Sequence, residues 1–266
     1  MPKLQTPYGE IYYQVTGEGD KAIGFMNGVM ASESSWDFFK EAFGQHGYQV
    51  ITFDFIGQLR SDKPEGPYTF DQHVDEAYRL YKHLDIDSLH LIGTSYGSEV
   101  AMKFAMQYPE MVKTLHVIDG TAEITPEIQE GINQWVDLTY KGGKEFFWGM
   151  APSIYHPDFI ERNKEMLDKR AEKLIGQDEY LRGQRILYQT FLNEVRFLDE
   201  LDQIKVPTIV IVGEQDTLKP PSVSKNIHQK IENSEYLVIP DCGHVTIFEK
   251  PQELLTILLG FVKKHD

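Results

Sequence analysis

The sequence predicts an α/β fold built on a mostly parallel sheet flanked by helices. Three observations predict it. Short apolar runs rich in β-branched residues recur along the chain, helix-compatible segments separate them, and the alternation stops once, between Thr121 and Lys205, before it resumes. Parallel neighbours need a crossover, usually a helix, and strands that are apolar throughout are those covered on both faces.

Residues 11–15 (Ile-Tyr-Tyr-Gln-Val) form the first expected strand, set between the turn residues at 7–9 and 17–20. Residues 22–26 are a short apolar run, and 34–45 bring Trp36, Phe39 and Phe43 together at helical spacing. These two opening strands are expected to be hairpin-like and to add an antiparallel edge. A strand follows at 49–53, then a helix at 70–84 with Val74, Ala77, Tyr78 and Tyr81 on one face. Next come a strand at 89–92, a helix at 100–108 stopped by Pro109, and a strand at 114–118. Residues 121–205 hold no convincing strand, while 161–175 and 181–201 are charged and helix-prone. A structureless loop of that length inside a compact domain is improbable, so the segment is expected to be a helical insertion. This divides the chain into a core, 1–120 and 206–266, and a cap, 121–205. Strands at 208–212 and 236–239 and helices at 222–231 and 251–264 complete the alternation.

Composition narrows the function classes. With 41% hydrophobic and 25% charged residues in 266, the chain has an ordinary globular balance, which excludes disorder and coiled coil. Its net charge of −15 argues against nucleic acid and anionic membrane surfaces as partners. A single cysteine cannot form an internal disulfide, and no Cys/His group has zinc spacing, so no metal or other cofactor is expected. No apolar run is long enough for membrane insertion, and the first residues lack the apolar stretch of a signal peptide, so a cytoplasmic protein is expected. Nothing in the sequence fixes an oligomeric state.

The most informative residues are Gly93-Thr94-Ser95-Tyr96-Gly97, directly after a buried-type strand and before a helix. A serine hydroxyl is a poor nucleophile unless held in the open beside a base. A tight strand-to-helix turn does this, lifting Ser95 above the sheet at the positive end of the helix. The two glycines are needed where neighbouring backbone crowds the turn. Asp216 follows the strand ending at Val212, and His244 follows the strand ending at Ile239. In a parallel sheet ligand chemistry gathers at the carboxyl ends of the strands, so Ser95, Asp216 and His244 are expected at one edge, as nucleophile, orienting acid and general base. Asp119, after the strand at 114–118, is the other place for the acid. Cys242 has no turn of its own and reads as structural. His46, His83 and His265 read as solvated.

With these residues in view, the chain resembles the α/β-hydrolase superfamily, in its group of small serine esterases and cofactor-free hydrolases. Residues 54–64 (Asp-Phe-Ile-Gly-Gln-Leu-Arg-Ser-Asp-Lys-Pro) resemble that family's Asp-x-x-Gly-x-Gly-x-Ser loop. His244 with Phe248-Glu249-Lys250-Pro251 resembles its His-x-x-x-x-Glu-x-Pro ending. Three positions depart from the pattern: Asn27 stands where the family has His, Leu59 where it has Gly, and Ser98 where it often has Gly. Asn27 bears on the oxyanion loop, whereas Leu59 and Ser98 are expected to affect only packing. Asp54 and Ser61 are expected to organise their loop by hydrogen bonds.

The resemblance implies an eight-stranded sheet with the cap inserted after strand 6. It also implies an oxyanion hole from the backbone N–H groups of Tyr96 and Val29, and an acyl-enzyme on Ser95. Gly28, Met30 and Trp148 are taken as substrate-binding. The aromatic-rich cap suggests an apolar pocket, hence a small apolar ester of short- to medium-chain acyl groups. An Asn-Gly-x-Met loop also resembles certain acyltransferases, and some enol-lactone hydrolases carry Asn nearby. Transfer, perhydrolysis, lactone or carbon–carbon hydrolysis, and a slow-turnover ligand receptor therefore stay open. Dehalogenases and epoxide hydrolases use an aspartate where Ser95 stands. A proline iminopeptidase would carry a Gly-Gly-Pro-Gly type loop where Gly28-Val29-Met30-Ala31 stands.

Overall fold

The computed structural model describes residues 2–266. In chain order the strands are β1 (Lys3–Thr6), β2 (Gly9–Thr16), β3 (Lys21–Met26), β4 (Tyr48–Phe53), β5 (Leu89–Thr94), β6 (Val112–Ile118), β7 (Thr208–Gly213) and β8 (Glu235–Ile239). They form one eight-stranded sheet in the order β1-β2-β4-β3-β5-β6-β7-β8. From β4 to β8 every neighbouring pair is parallel, while β1–β2 and β2–β4 are antiparallel. The expected antiparallel edge is present, but its pairing differs from a hairpin of the segments at 11–15 and 22–26. β4 lies between β2 and β3, and the hairpin partner of β2 is β1. The segment Lys-Leu-Gln-Thr is too short and polar to announce itself; it is a strand because β2 offers it an open edge.

Helices α1 (Asp37–Gln45), α2 (Phe70–His83), α3 (Tyr96–Gln107), α9 (Pro221–Lys230) and α11 (Pro251–Lys264) flank the sheet. Strand alternation divides the core in two. Ile51, Phe53, Leu89, Leu91, Leu115 and Val117 face the side covered by α2, α3 and α9. Ile23, Phe25, Val50, Ile92 and Ile118 face Phe39 and Phe43 of α1 and Leu254, Leu258 and Phe261 of α11. Strands β3, β5, β6 and β7 are buried along almost their whole length, which is why they read as unbroken apolar runs.

Between β6 and β7 the chain forms α4 (Pro126–Leu138), α5 (Gly143–Ile154), α6 (Pro157–Arg162), α7 (Lys164–Lys173) and α8 (Asp178–Glu194), then a 3-10 turn at Leu198–Gln203. The short α10 (Thr246–Glu249) precedes α11. Among the described residues no helix is long and apolar enough to cross a membrane.

Candidate active site

β5 ends and α3 begins at a single residue, Ser95, whose backbone stands at φ 51°, ψ −121°. This is a left-handed conformation that a residue with a Cβ adopts only under external constraint. The constraint is visible. The Ser95 N–H donates to the Ile118 carbonyl at 2.8 Å and the Ser98 N–H to the Ser95 carbonyl at 2.8 Å. A Cβ at Gly93 would overlap the Gly97 carbonyl, and one at Gly97 would overlap that of Met26. The turn is thus crossed closely by the end of β3, and both glycines are required by that approach. Ser98 is a working part of the turn, with Oγ 2.8 Å from the Gly93 oxygen and 2.7 Å from that of Ile118.

The loops after β7 and β8 meet this turn. Ser95 Oγ lies 2.9 Å from His244 Nε2, and His244 Nδ1 lies 2.7 Å from Asp216 Oδ2. Asp216 is held from behind: Oδ1 accepts the N–H groups of Leu218 at 3.0 Å and Lys219 at 2.8 Å. The two loops are tied to each other by Gln215, whose N–H donates to the Cys242 carbonyl at 2.8 Å and whose Oε1 accepts the Cys242 N–H at 2.9 Å. Asp216 and His244 are 2% and 6% exposed, so the proton path is shielded from water. Burial alone would lower the affinity of His244 for a proton; the Asp216 carboxylate outweighs it and holds the imidazole above its ordinary value.

Asp119 acts on the imidazole through its charge but makes no hydrogen bond to it among the described residues. Its Oδ2 accepts from Thr246 Oγ1 at 2.9 Å, and its Oδ1 from the Gly213 N–H at 3.2 Å. Burial, with the charge of Asp216 behind it, raises this carboxyl to about 8. Cys242 is buried, and burial pushes its thiol up, away from the thiolate needed for attack.

The loop after β3 is fixed by Asn27. Its Nδ2 donates to the Phe53 carbonyl at 2.7 Å and to Gln58 Oε1 at 3.0 Å, and its Oδ1 accepts from Trp36 Nε1 at 2.8 Å. Gln58 Nε2 donates in turn to the Gly28 carbonyl at 2.8 Å. The same Nε2 lies 3.3 Å from the Val29 carbonyl, so Gln58 engages both carbonyls of the Gly28-Val29 turn. Among the described residues neither the Val29 N–H nor the Tyr96 N–H is engaged by a protein acceptor. Asp54 anchors the neighbouring loop by accepting the N–H groups of Glu33 at 2.8 Å and Arg60 at 3.1 Å, and Ser61 Oγ donates to its carbonyl at 2.5 Å.

A cavity of about 480 Å³ opens over Ser95. Gly28, Val29, Met30 and Tyr96 line it, with Ile132, Trp135, Phe147, Met150 and Phe191 supplying an apolar wall. Trp148 does not. It points outward, with Lys164 Nζ 5.3 Å from its ring centre, and its neighbour Phe147 takes the inward place because one helical step turns a side chain through about 100°. Leu59 also differs from expectation: it is 50% exposed and borders the cavity instead of packing in the core. Two residues outside the sequence motifs, Lys219 and Glu99, are buried beside Ser95. Their signal was the spacing, Glu99 one helical turn after Ser95 and Lys219 three residues after Asp216.

Known proteins place this arrangement. The profile of the α/β hydrolase fold family matches residues 22–251. An α/β hydrolase enzyme from a Medee basin deep-sea metagenome library superposes with a TM-score of 0.92 at 29% identity, over 98% of this chain and 97% of that one. A proline iminopeptidase of Thermoplasma volcanium is 27% identical over 99% of this chain and 96% of its own. A 2-hydroxy-6-oxononadienedioate/2-hydroxy-6-oxononatrienedioate hydrolase of Burkholderia vietnamiensis is 26% identical over 96% of this chain and 91% of its own. By sheet order, by the turn at Ser95 and by the extent of these matches, the chain belongs to the α/β hydrolase fold family.

Proposed function

We propose that this hydrolase cleaves carboxylic esters with short- to medium-chain acyl groups through an acyl-enzyme on Ser95, with residues 121–205 as the cap over the site. The observation that carries the reading is the unbroken relay from Ser95 Oγ to His244 at 2.9 Å and on to Asp216 at 2.7 Å. His244 takes the hydroxyl proton as Oγ attacks the carbonyl carbon, and Asp216 keeps the other ring nitrogen protonated and steadies the imidazolium. The carbonyl oxygen becomes an oxyanion between the Val29 and Tyr96 N–H groups, each such donor contributing ~3 kcal/mol to lowering the barrier. Collapse expels the alcohol, which takes the proton from His244. Water then repeats the sequence and releases the acid.

The wall of Ile132, Trp135, Phe147 and Met150 supports an apolar acyl group, and a cavity of about 480 Å³ supports a small one. A p-nitrophenyl ester series of increasing chain length tests this, with Ser95→Ala as control and an organophosphonate to count active serines. Rapid turnover that is lost with Ser95→Ala, together with loss of labelling, is expected. Labelling of Ser95→Ala at the wild-type rate refutes the reading. The relative named for 2-hydroxy-6-oxononadienedioate hydrolysis supports a second reading, in which the same relay opens a carbon–carbon bond next to a carbonyl. A lactone, a diketone and added alcohol acceptors therefore belong in the same panel. One slow covalent event per chain would point instead to a receptor.

A further inference from the structure

The relay leaves one ion pair unexplained. Lys219 and Glu99 are 1% and 0% exposed, and Lys219 Nζ stands 3.0 and 3.1 Å from the two Glu99 carboxylate oxygens. Taking two charges out of water costs about as much as their attraction returns, and an apolar pair of equal volume commonly stabilises a fold at least as well. Folding alone is therefore a poor reason for this pair.

Its position gives a better one. Glu99 follows Ser95 by one turn of α3, so its side chain stands on the same helix face as the nucleophile. Its Oε1 also accepts the Thr121 N–H at 2.8 Å, which locks the carboxylate. Lys219 enters from the β7 loop, where its own N–H donates to Asp216 at 2.8 Å. Both partners are thus fastened to segments that carry the relay. The ammonium has three protons. Two face Glu99, and Nζ lies 3.4 Å from Ser95 Oγ, with the Phe191 ring 4.8 Å away closing off water. Ser95 Oγ gives its proton to His244; of its two lone pairs, one faces the ammonium and the other is free for attack.

Resting on the serine mechanism above, we propose that Lys219 is a further catalytic residue, whose ammonium, held by Glu99, donates a hydrogen bond to Ser95 Oγ and stabilises negative charge on that oxygen. In acylation the Oγ–H proton passes to His244 while the Oγ–carbon bond forms, and the ammonium follows the oxygen as its charge rises. In deacylation water adds to the acyl carbon and gives a proton to His244. The carbon–Oγ bond then breaks, the electron pair stays on Oγ, and the proton returns from His244. Here Oγ is the leaving group, so the step depends most on Lys219. Glu99 keeps the lysine aimed without itself touching the reacting atoms.

The ammonium also acts on the base. The titratable groups facing His244 are Asp216, Asp119, Lys219 and Glu99, and of these Lys219 alone disfavours the imidazolium. Losing it lets His244 keep its proton to higher pH, so the acid limb of kcat/KM moves up.

The test removes the pair in two ways. Lys219→Met with Glu99→Leu replaces it by apolar volume, and Lys219→Gln with Glu99→Gln keeps hydrogen bonding without charge. With p-nitrophenyl esters both are expected to lose at least about tenfold in kcat, with KM falling alongside. A pre-steady-state burst then shows acyl-enzyme accumulating, and in Lys219→Met alone the acid limb is displaced upward. Lys219→Arg, which keeps a cation, is expected to retain most of kcat. Kinetics within about twofold of wild type in either folded double variant, with no burst, overturn the role of Lys219. Phosphonate labelling separates the two ideas. A variant that labels fully and turns over normally sinks only the lysine, whereas wild-type protein that never labels sinks the serine mechanism beneath it.

Discussion

Asp216→Asn probes the relay where its two ends make opposite demands. The carboxylate has two acceptor oxygens, and both are used. Oδ1 accepts from the Leu218 and Lys219 N–H groups at 3.0 and 2.8 Å, and Oδ2 faces His244 Nδ1 at 2.7 Å. An amide offers one acceptor and one donor group. Two backbone donors hold its oxygen on their side, so its NH2 faces the imidazole. Nδ1 must then accept, the ring proton moves to Nε2, and the lone pair that should receive the Ser95 proton at 2.9 Å is gone. An exchange of this kind costs roughly 10⁴ in kcat, or about 5 kcal/mol of barrier. Asp119 cannot stand in, because its oxygens are spent on Thr246 and Gly213. The assay is steady-state ester hydrolysis normalised to phosphonate-reactive serine. Activity of Asp216→Asn within about tenfold of wild type would refute the tautomer argument. If Asp119→Asn instead showed the large loss, the acid would have to be assigned there.

Three further outcomes are expected. Phe147→Ala should move the preferred acyl chain length upward and destabilise the fold by ~3 kcal/mol, while Trp148→Ala leaves the chain-length profile unchanged; the reverse pattern would return Trp148 to the pocket. Gly97→Ala places a Cβ against the Met26 carbonyl, which is backbone and cannot swing aside, so the melting temperature and kcat should both fall, and a variant normal in both contradicts the close approach at this turn. Burial lowers His90 to about 4 and lowers His116 well below its ordinary 6.5, so both are neutral when folded. Below pH ~6.5 the unfolded chain binds protons that the folded chain does not. The stability they permit is thus complete above that value and falls as pH drops, by up to ~1.4 kcal/mol per pH unit for each histidine. Denaturant melts across that range should show the slope, and His116→Met should flatten part of it. An unaltered slope would place the acid sensitivity elsewhere.

The sheet was legible because its inner strands are covered on both sides and so carry unbroken apolar runs that no exposed segment would tolerate. The relay was legible for a related reason: Ser95 and Asp216 follow two of those runs, His244 follows the apolar edge strand β8, and the ends of parallel strands lie along one rim. What escaped was whatever a neighbour decides. α3 begins at Tyr96, not near Val100, because Gly97 and Ser98 carry little helix propensity and are drawn into the helix by the turn that precedes them. The cap read as helical, yet its division into α4–α8 depends on breaks such as Asn163 that periodicity does not mark. Trp148 was the larger and more conspicuous aromatic, but only the phase of α5 decides that Phe147 faces inward. Lys219 and Glu99 belong to no sequence motif; their meaning lies in a contact between residues 120 positions apart.

The loop that carries His244 is fastened to the helical segment 121–205 as well as to the sheet. The His244 N–H donates to the Ile154 carbonyl at the end of α5, at 2.8 Å. Glu249 accepts the Gly243 N–H at 3.1 Å and the His156 N–H at 3.0 Å with the same oxygen. One carboxylate therefore binds the histidine loop to the cap segment between α5 and α6. Met150 and Ile154 on α5 also line the cavity over Ser95. A substrate that displaces α5 pulls on the backbone that carries the imidazole, and an imidazole in register with Ser95 fixes where the wall of the pocket stands. On the ester hydrolysis proposed above, acyl-group selection and proton transfer are then coupled through α5. An acyl chain of the wrong size is expected to lower kcat through the position of His244, and not only to raise KM through poor fit.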